Sequence, residues 1–185
     1  MTANEGNLIP PPSPHKMNAC QFSPCRRYRY SLEHVIDPLL NTGRVMWIGL
    51  NPSTADEQKL DPTLRRIRAF TQAWGYSAFV MTNLFAFRAT DPKDMKATAD
   101  PIGEDNELML QLIAENPATK LIIAAWGTHG DFNNRAMMTM GGPLRGAELH
   151  CLEETKHGHP KHPLYVPSNR TPRLFKSALT RAIIL

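Results

Sequence analysis

Three short apolar runs and a fourth, mixed one, each broken off by polar or glycine-containing sequence, constrain this chain more than anything else in it. They cover 44–50, 77–82, 120–125 and 148–152. Runs of this length and composition suit strands buried on both faces of a sheet, and the stretches between them carry helix signals. Asp61-Pro62 reads as an N-cap and first helical residue; Leu64, Ile67, Phe70 and Trp74 form an apolar stripe, and Gly75 stops the helix. The stretch 103–115 predicts a second helix with Leu108, Leu112 and Ile113 turned inward. The stretch 132–140 predicts a third, with Met137, Met138 and Met140 as core, and 171–184 a closing helix with Leu174, Ala178 and Ala182 on one side. The stretch 89–101 reads as a polar connection, and 22–32 as a strand or irregular segment leading into a short helix. Strands alternating with helices imply a mostly parallel four-stranded sheet covered on both faces, a three-layer α/β/α fold with right-handed crossovers.

A length of 185 residues fits one α/β domain over 19–185, preceded by a Pro-rich mobile tail over 1–18 that contains Pro10, Pro11, Pro12 and Pro14. No apolar run approaches the roughly 20 residues needed to span a bilayer, and the N-terminus has no secretion-signal pattern. Three cysteines, Cys20, Cys25 and Cys151, fit a reduced cytoplasmic protein and fall one short of a four-thiolate cluster site. His157, His159 and His162 lack the helical spacing and the nearby carboxylate of a metal set, so no metal is expected. P-loop, Gly-x-Gly-x-x-Gly and Gly-x-Ser-x-Gly motifs are absent, which disfavours nucleotide hydrolysis at a P-loop, a dinucleotide cofactor and an α/β-hydrolase; no cofactor is expected.

The net charge of +4 permits contact with a polyanion. Arg26, Arg27 and Arg29 alternate with Tyr28 and Tyr30, and Arg65, Arg66 and Arg68 share one expected helix. Each group reads either as an ordinary solvated face or as a surface for phosphate contact and base stacking.

The ends of the four runs hold the chemistry-bearing residues. They are Gly49-Leu50-Asn51-Pro52-Ser53, Thr82-Asn83-Leu84-Phe85, Ala125-Trp126-Gly127-Thr128-His129, and the loop from His157 to Tyr165. A parallel sheet brings such ends to one edge, where open α/β proteins bind ligands. Taken singly, Asn51 and Asn83 read as turn residues and Trp126 as core. Taken together, they predict a cleft lined by two asparagines, aromatics and histidine.

Gly49-Leu50-Asn51-Pro52-Ser53 resembles the first motif of the uracil-DNA glycosylase superfamily, nearest to its mismatch-specific branch, which has Gly-Ile-Asn-Pro-Gly there. Thr82-Asn83-Leu84 resembles that superfamily's second strand end, and His162-Pro163-Leu164-Tyr165 its late His-Pro-Ser motif. This chain departs at Ser53, where the second Gly stands in the mismatch-specific motif, and at Leu164, where the Ser stands. From Phe22 onward the chain also resembles a bacterial and phage family described only as a domain of unknown function. Its marks are Ser23-Pro24-Cys25-Arg26-Arg27-Tyr28-Arg29-Tyr30, Leu50-Asn51-Pro52-Ser53-Thr54-Ala55-Asp56, Asn83-Leu84-Phe85-Ala86-Phe87-Arg88-Ala89-Thr90-Asp91-Pro92 and Ala124-Ala125-Trp126-Gly127.

The glycosylase resemblance implies a glycosylase-like fold and hydrolysis of the N-glycosidic bond of a pyrimidine, modified or mismatched, in DNA. Asn51 would position the attacking water and His162 would support the leaving base. Asn83 would read the base edge, with Phe85 or Trp126 stacking on its face and Ser53 close by. Arg26, Arg29 and Arg65 would hold phosphates. The expected partner is DNA or a nucleotide, with no membrane and a monomeric state. Two other functions fit the same residues: hydrolysis of a free modified nucleoside or nucleotide, and non-catalytic binding of nucleic acid.

Overall fold

The computed structural model describes residues 18–53 and 60–175. Among these residues, seven strands form one sheet: β1 (Asn18–Phe22), β2 (Arg29–Val35), β3 (Arg44–Gly49), β4 (Ala78–Asn83), β5 (Thr119–Ala124), β6 (Leu149–Cys151) and β7 (Arg173–Leu174). The spatial order is β1-β2-β4-β3-β5-β6-β7. The four expected strands are the middle of it, and β4, β3, β5 and β6 run parallel. The sheet is wider than expected because an antiparallel strand pair, β1 and β2, is added beside β4, and β7 is added antiparallel beside β6.

Those additions were the illegible part. Arg29-Tyr30-Ser31-Leu32 alternates polar and apolar residues, yet all four are buried, and the Arg/Tyr interleaving that runs on from Arg26 reads equally as a surface segment. The segment 22–32 therefore ends one strand, turns, and begins another; it leads into no helix. On the other side, 171–175 holds a two-residue edge strand where a helix was expected, with Leu174 half exposed. The rest of that expected helix, with Ala178 and Ala182, lies outside the described residues, as does 1–17 of the Pro-rich segment.

Among the described residues, four α-helices accompany the strands: α1 (Pro62–Ala73), α2 (Pro92–Ala97), α3 (Asn106–Glu115) and α4 (Arg135–Gly141). α1 begins as expected. Asp61 accepts the Leu64 N–H at 2.8 Å, and Gly75, at φ 84°, takes the left-handed turn that ends the segment. α2 is an addition within the polar connection, capped by Asp91 with Pro92 at its first position.

Every residue of β3 is buried, and its side chains alternate between two core clusters. Val45 and Trp47 pack with Leu64, Ile67 and Phe70 of α1; Met46 and Ile48 pack with Met109, Leu110 and Ile113 of α3, Met95 of α2 and Ala136 of α4. Apolar burial on both faces is what a parallel strand requires. Trp47 ties the α1 side together, donating to Thr71 Oγ1 at 3.1 Å and stacking on Trp74 at 5.5 Å. On α3 the inward residues are Asn106, Met109, Leu110 and Ile113, while Leu108 and Leu112 face out. The buried Asn106 sets that phase, and a polar residue gives no apolar signal for it. Met137 and Met138 are likewise exposed, because α4 buries Arg135, Ala136 and Thr139. No helix among the described residues is long and apolar enough to cross a membrane.

Candidate functional site

The carboxyl ends of β3, β4 and β5 open into a cavity of about 690 Å³. That volume lies within the roughly 300–1,000 Å³ usual for small-molecule sites. Asn51, Ser53, Asn83, Trp126, His162 and Arg29 all line it.

The end of β3 is laced to the chain beyond β4. Leu84 N–H donates to Gly49 O and Phe85 N–H to Leu50 O, each at 2.9 Å, and Ala89 N–H donates to Pro52 O at 2.9 Å. The Asn51 amide closes this lacing, its Nδ2 donating to Ala89 O at 2.8 Å and to Pro52 O at 3.2 Å. Two carbonyls can only accept, so the amide orientation is fixed and both its N–H groups are used. Oδ1 is the remaining polar atom, an acceptor.

Asn83 ends β4 beside Gly49, its register partner, and is almost wholly buried. Its Oδ1 has no partner among the described residues. A Cβ at Gly49 would lie 2.8 Å from that oxygen and would clash with Met81 Cε, so glycine permits the close approach. Below Asn83 lies a polar brace that the sequence did not reveal. Asn106 Nδ2 donates to Asn83 O at 3.2 Å and to Leu84 O at 3.0 Å. Arg135, fully buried, donates from Nε to Leu84 O at 2.8 Å and pairs through Nη1 with Glu107. Such a brace satisfies carbonyls that leave the sheet ladder, which is the accounting buried backbone demands.

His162 sits on the loop that crosses above β5. That loop is tied to the strand end by Gly127 N–H donating to Pro160 O at 2.9 Å. The Nδ1 of His162 accepts the Leu164 N–H at 3.4 Å, capping the short turn Pro163–Tyr165. Burial pushes its pKa below the usual imidazole value, against the opposing pull of the Asp61 charge. The ring is therefore neutral at pH 7, and with Nδ1 accepting, Nε2 carries the proton and is a donor. Trp126 is buried, edge-on to Phe175 at 5.8 Å, with Gly130 pressed against its indole.

Three residues expected at the site are elsewhere. Phe85 is fully buried in the core, 5.9 Å from Phe132, with no face open to a ligand. The chain turns inward after Asn83 to follow the end of β3, and that carries Phe85 away from the cavity. Arg65 is exposed on α1 and Arg26 stands over the Phe22 ring at 4.4 Å; neither lines the cavity. The Arg/Tyr interleaving largely resolves into packing. Tyr30 is core, Tyr28 lies against Gly103 and Phe87, and Arg27 and Arg88 stand over Phe87 and Phe22. Arg29 is the member that reaches the cavity, from the start of β2 and almost wholly buried.

Two charged residues join the lining that the sequence marked only as a helix cap and as part of the loop from His157 to Tyr165. Asp61 uses Oδ1 for the α1 cap and presents Oδ2, 3.4 Å from Ser53 Oγ. Lys161 is held by Glu153, which also accepts from Arg170 at 3.3 Å. Lys161 and Arg170 in turn hold the Glu153 carboxyl below its usual pKa. Among the described residues, no three of His, Cys, Asp and Glu come together as a metal-binding group.

The family model described as "Protein of unknown function (DUF1643)" matches residues 29–164, a span that begins at Arg29, ends just past His162 and holds both asparagines. No curated protein and no solved structure matches the chain with significance. The match covers well over half of the sequence, and the chain belongs to the DUF1643 family.

Proposed function

We propose that the cavity binds a nucleobase and that the protein hydrolyses its N-glycosidic bond, as a cytoplasmic monomer with a uracil-DNA-glycosylase-like arrangement of its parallel strands. One observation carries this reading: Asn51, Asn83, Trp126 and His162, from four separate chain segments, line the same cavity at the carboxyl edge. Each offers what the reaction needs. Asn51 Oδ1 accepts from, and so orients, a water. Asn83 meets the base edge. The neutral His162 Nε2–H supports the negative charge that develops on the leaving base, a contribution worth roughly 2.7–4 kcal/mol for one well-placed donor. Trp126 supplies an aromatic wall; stacking on such a wall contributes roughly 1–3 kcal/mol. A base in duplex DNA would first have to leave the stack, at a cost of about a few kcal/mol.

A second reading is hydrolysis of a free modified nucleoside or nucleotide. It is favoured by Arg29, a cation within the cavity wall. An anionic group carried by the ligand itself would meet Arg29 inside.

The test is base release. Duplex and single-stranded oligonucleotides carrying uracil, mismatched thymine and modified pyrimidines are assayed for alkali-labile abasic sites, and free nucleosides and 5′-nucleotides for liberated base. DNA cleavage supports the first reading, and release from free nucleotides alone supports the second. Retained, salt-dependent binding with no base released from any substrate sinks both and leaves a binding module.

A further inference from the structure

We propose that Asp61 accepts the proton of the attacking water, an inference that rests on the glycosidic reading above. The other polar groups at the cavity are unsuited to that task. Asn51 is an amide whose donors are committed to Ala89 O and Pro52 O, so it can hold a water but not deprotonate it. His162 already binds a donor at Nδ1 and carries its proton on Nε2, so it gives a hydrogen bond there. Arg29 is a permanent cation, Lys161 is held by Glu153, and His129 Nδ1 lies 3.3 Å from Lys96 Nζ. Among the described residues that line the cavity, Asp61 is the single carboxylate.

Its geometry divides the two oxygens between two jobs. Oδ1 is anchored by the Leu64 N–H, which fixes the plane of the carboxylate. Among the described residues, Oδ2 has only the long 3.4 Å contact from the Ser53 hydroxyl, and the water is assigned to it. Ser53 follows Asn51 by two residues, so the acceptor that holds the water and the group that takes its proton are coupled through one short segment. In the reaction the water oxygen bonds to C1′ as the C1′–N bond breaks. The bonding pair leaves with the base. One water proton passes to Asp61 Oδ2, while the charge on the base is supported by His162 Nε2–H. Asp61 then returns its proton to the departing base or to solvent, so that one water is consumed and no proton is gained or lost. An Asp-Pro step at a helix start reads as a cap, and that is why the sequence hides this second role.

The cap makes the test clean, because Asn caps a helix about as well as Asp but cannot accept the proton. Asp61→Asn is expected to keep the wild-type melting temperature and a KM within a few-fold, and to lose roughly 10²–10⁴-fold in kcat. Asp61→Ala, which removes cap and carboxylate together, loses both stability and kcat. A second readout needs no substrate: the His162 ring, titrated by NMR, shifts to a lower pKa in Asp61→Asn because the nearby negative charge is gone. A wild type that releases no base from any substrate overturns the functional reading, and this inference with it. A wild type that turns over while Asp61→Asn keeps kcat within threefold overturns this inference alone. An unchanged His162 titration does the same, since the carboxylate would then not face the cavity.

Discussion

The two cavity asparagines sit at the ends of neighbouring parallel strands and are held in opposite ways. At the end of β3, the Asn51 side chain holds the main chain, gripping Ala89 O and Pro52 O. At the end of β4, the main chain of Asn83 is itself held, by Asn106 from below, and Arg135 holds the next carbonyl. One amide braces a loop; the other is carried on a braced strand. Residue type and strand-end position are therefore a poor guide to function. Asn51 is reduced to a single acceptor, while Asn83 depends on two buried residues more than twenty positions away in sequence.

If β4 is the braced end, damage to the brace costs most. Arg135→Ala leaves Leu84 O with one donor fewer and a void at a fully buried site, and is expected to lower unfolding free energy by roughly 3–5 kcal/mol in urea titration. A loss below about 1 kcal/mol would mean that the strand end does not depend on it. Asn106→Leu removes two donors from two carbonyls while keeping the volume, for a loss of about 2–4 kcal/mol. Gly49→Ala tests the contact between the two ends. Its Cβ must displace Met81 Cε and Asn83 Oδ1, at a cost of roughly 1–3 kcal/mol, and base-analogue binding by calorimetry should fall with it. At the less braced end, Asn51→Ala loses two hydrogen bonds in a half-buried site, about 1–2 kcal/mol. Asn51→Asp is expected to be worse than Ala, because its carboxylate would face two carbonyl oxygens. Equal thermal shifts for the two variants would refute the bracing role.

The smallest effect is on pH dependence. Burial lowers the pKa of His162 and of His34, the latter against Phe79 and near Arg68. Above the unfolded value of roughly 6.5 both states hold neutral rings and nothing is gained or lost. As pH falls through it, the unfolded chain takes up protons first, so stability declines until the folded values are passed. A His34→Gln, His162→Gln double variant should flatten the urea midpoint between pH 7.5 and 5.5, relative to wild type.

Much of this was legible because it is local. Three of the four central strands announce themselves as apolar runs that stop at or near glycine or asparagine, and α1 by Asp61-Pro62 at one end and Gly75 at the other. The convergence of Asn51, Asn83 and Trp126 on one cavity follows from parallel strands, and the Gly127–Pro160 hydrogen bond brings the His162 loop to the same place. What stayed hidden is non-local or does double duty. Asn106 and Arg135 act on carbonyls of another element, and no spacing rule connects them to β4. Leu108 and Leu112 give an apolar signal on the wrong side of α3, since helix phase is set by what packs beneath. Arg29 looks like its exposed neighbours Arg26 and Arg27, yet the register of β2 buries it.

The central strand has a further consequence, in time. β3 is buried along its whole length, and its partner β5 lies far along the chain: Arg44 and Thr119, which bond to each other, are separated by 75 positions. At roughly 5–20 residues per second of synthesis, Val-Met-Trp-Ile leaves the ribosome several seconds before one of its two neighbours exists. Chains halted before β5 should therefore precipitate or bind chaperones, and refolding should be slow, as for other proteins whose core awaits distant pairing.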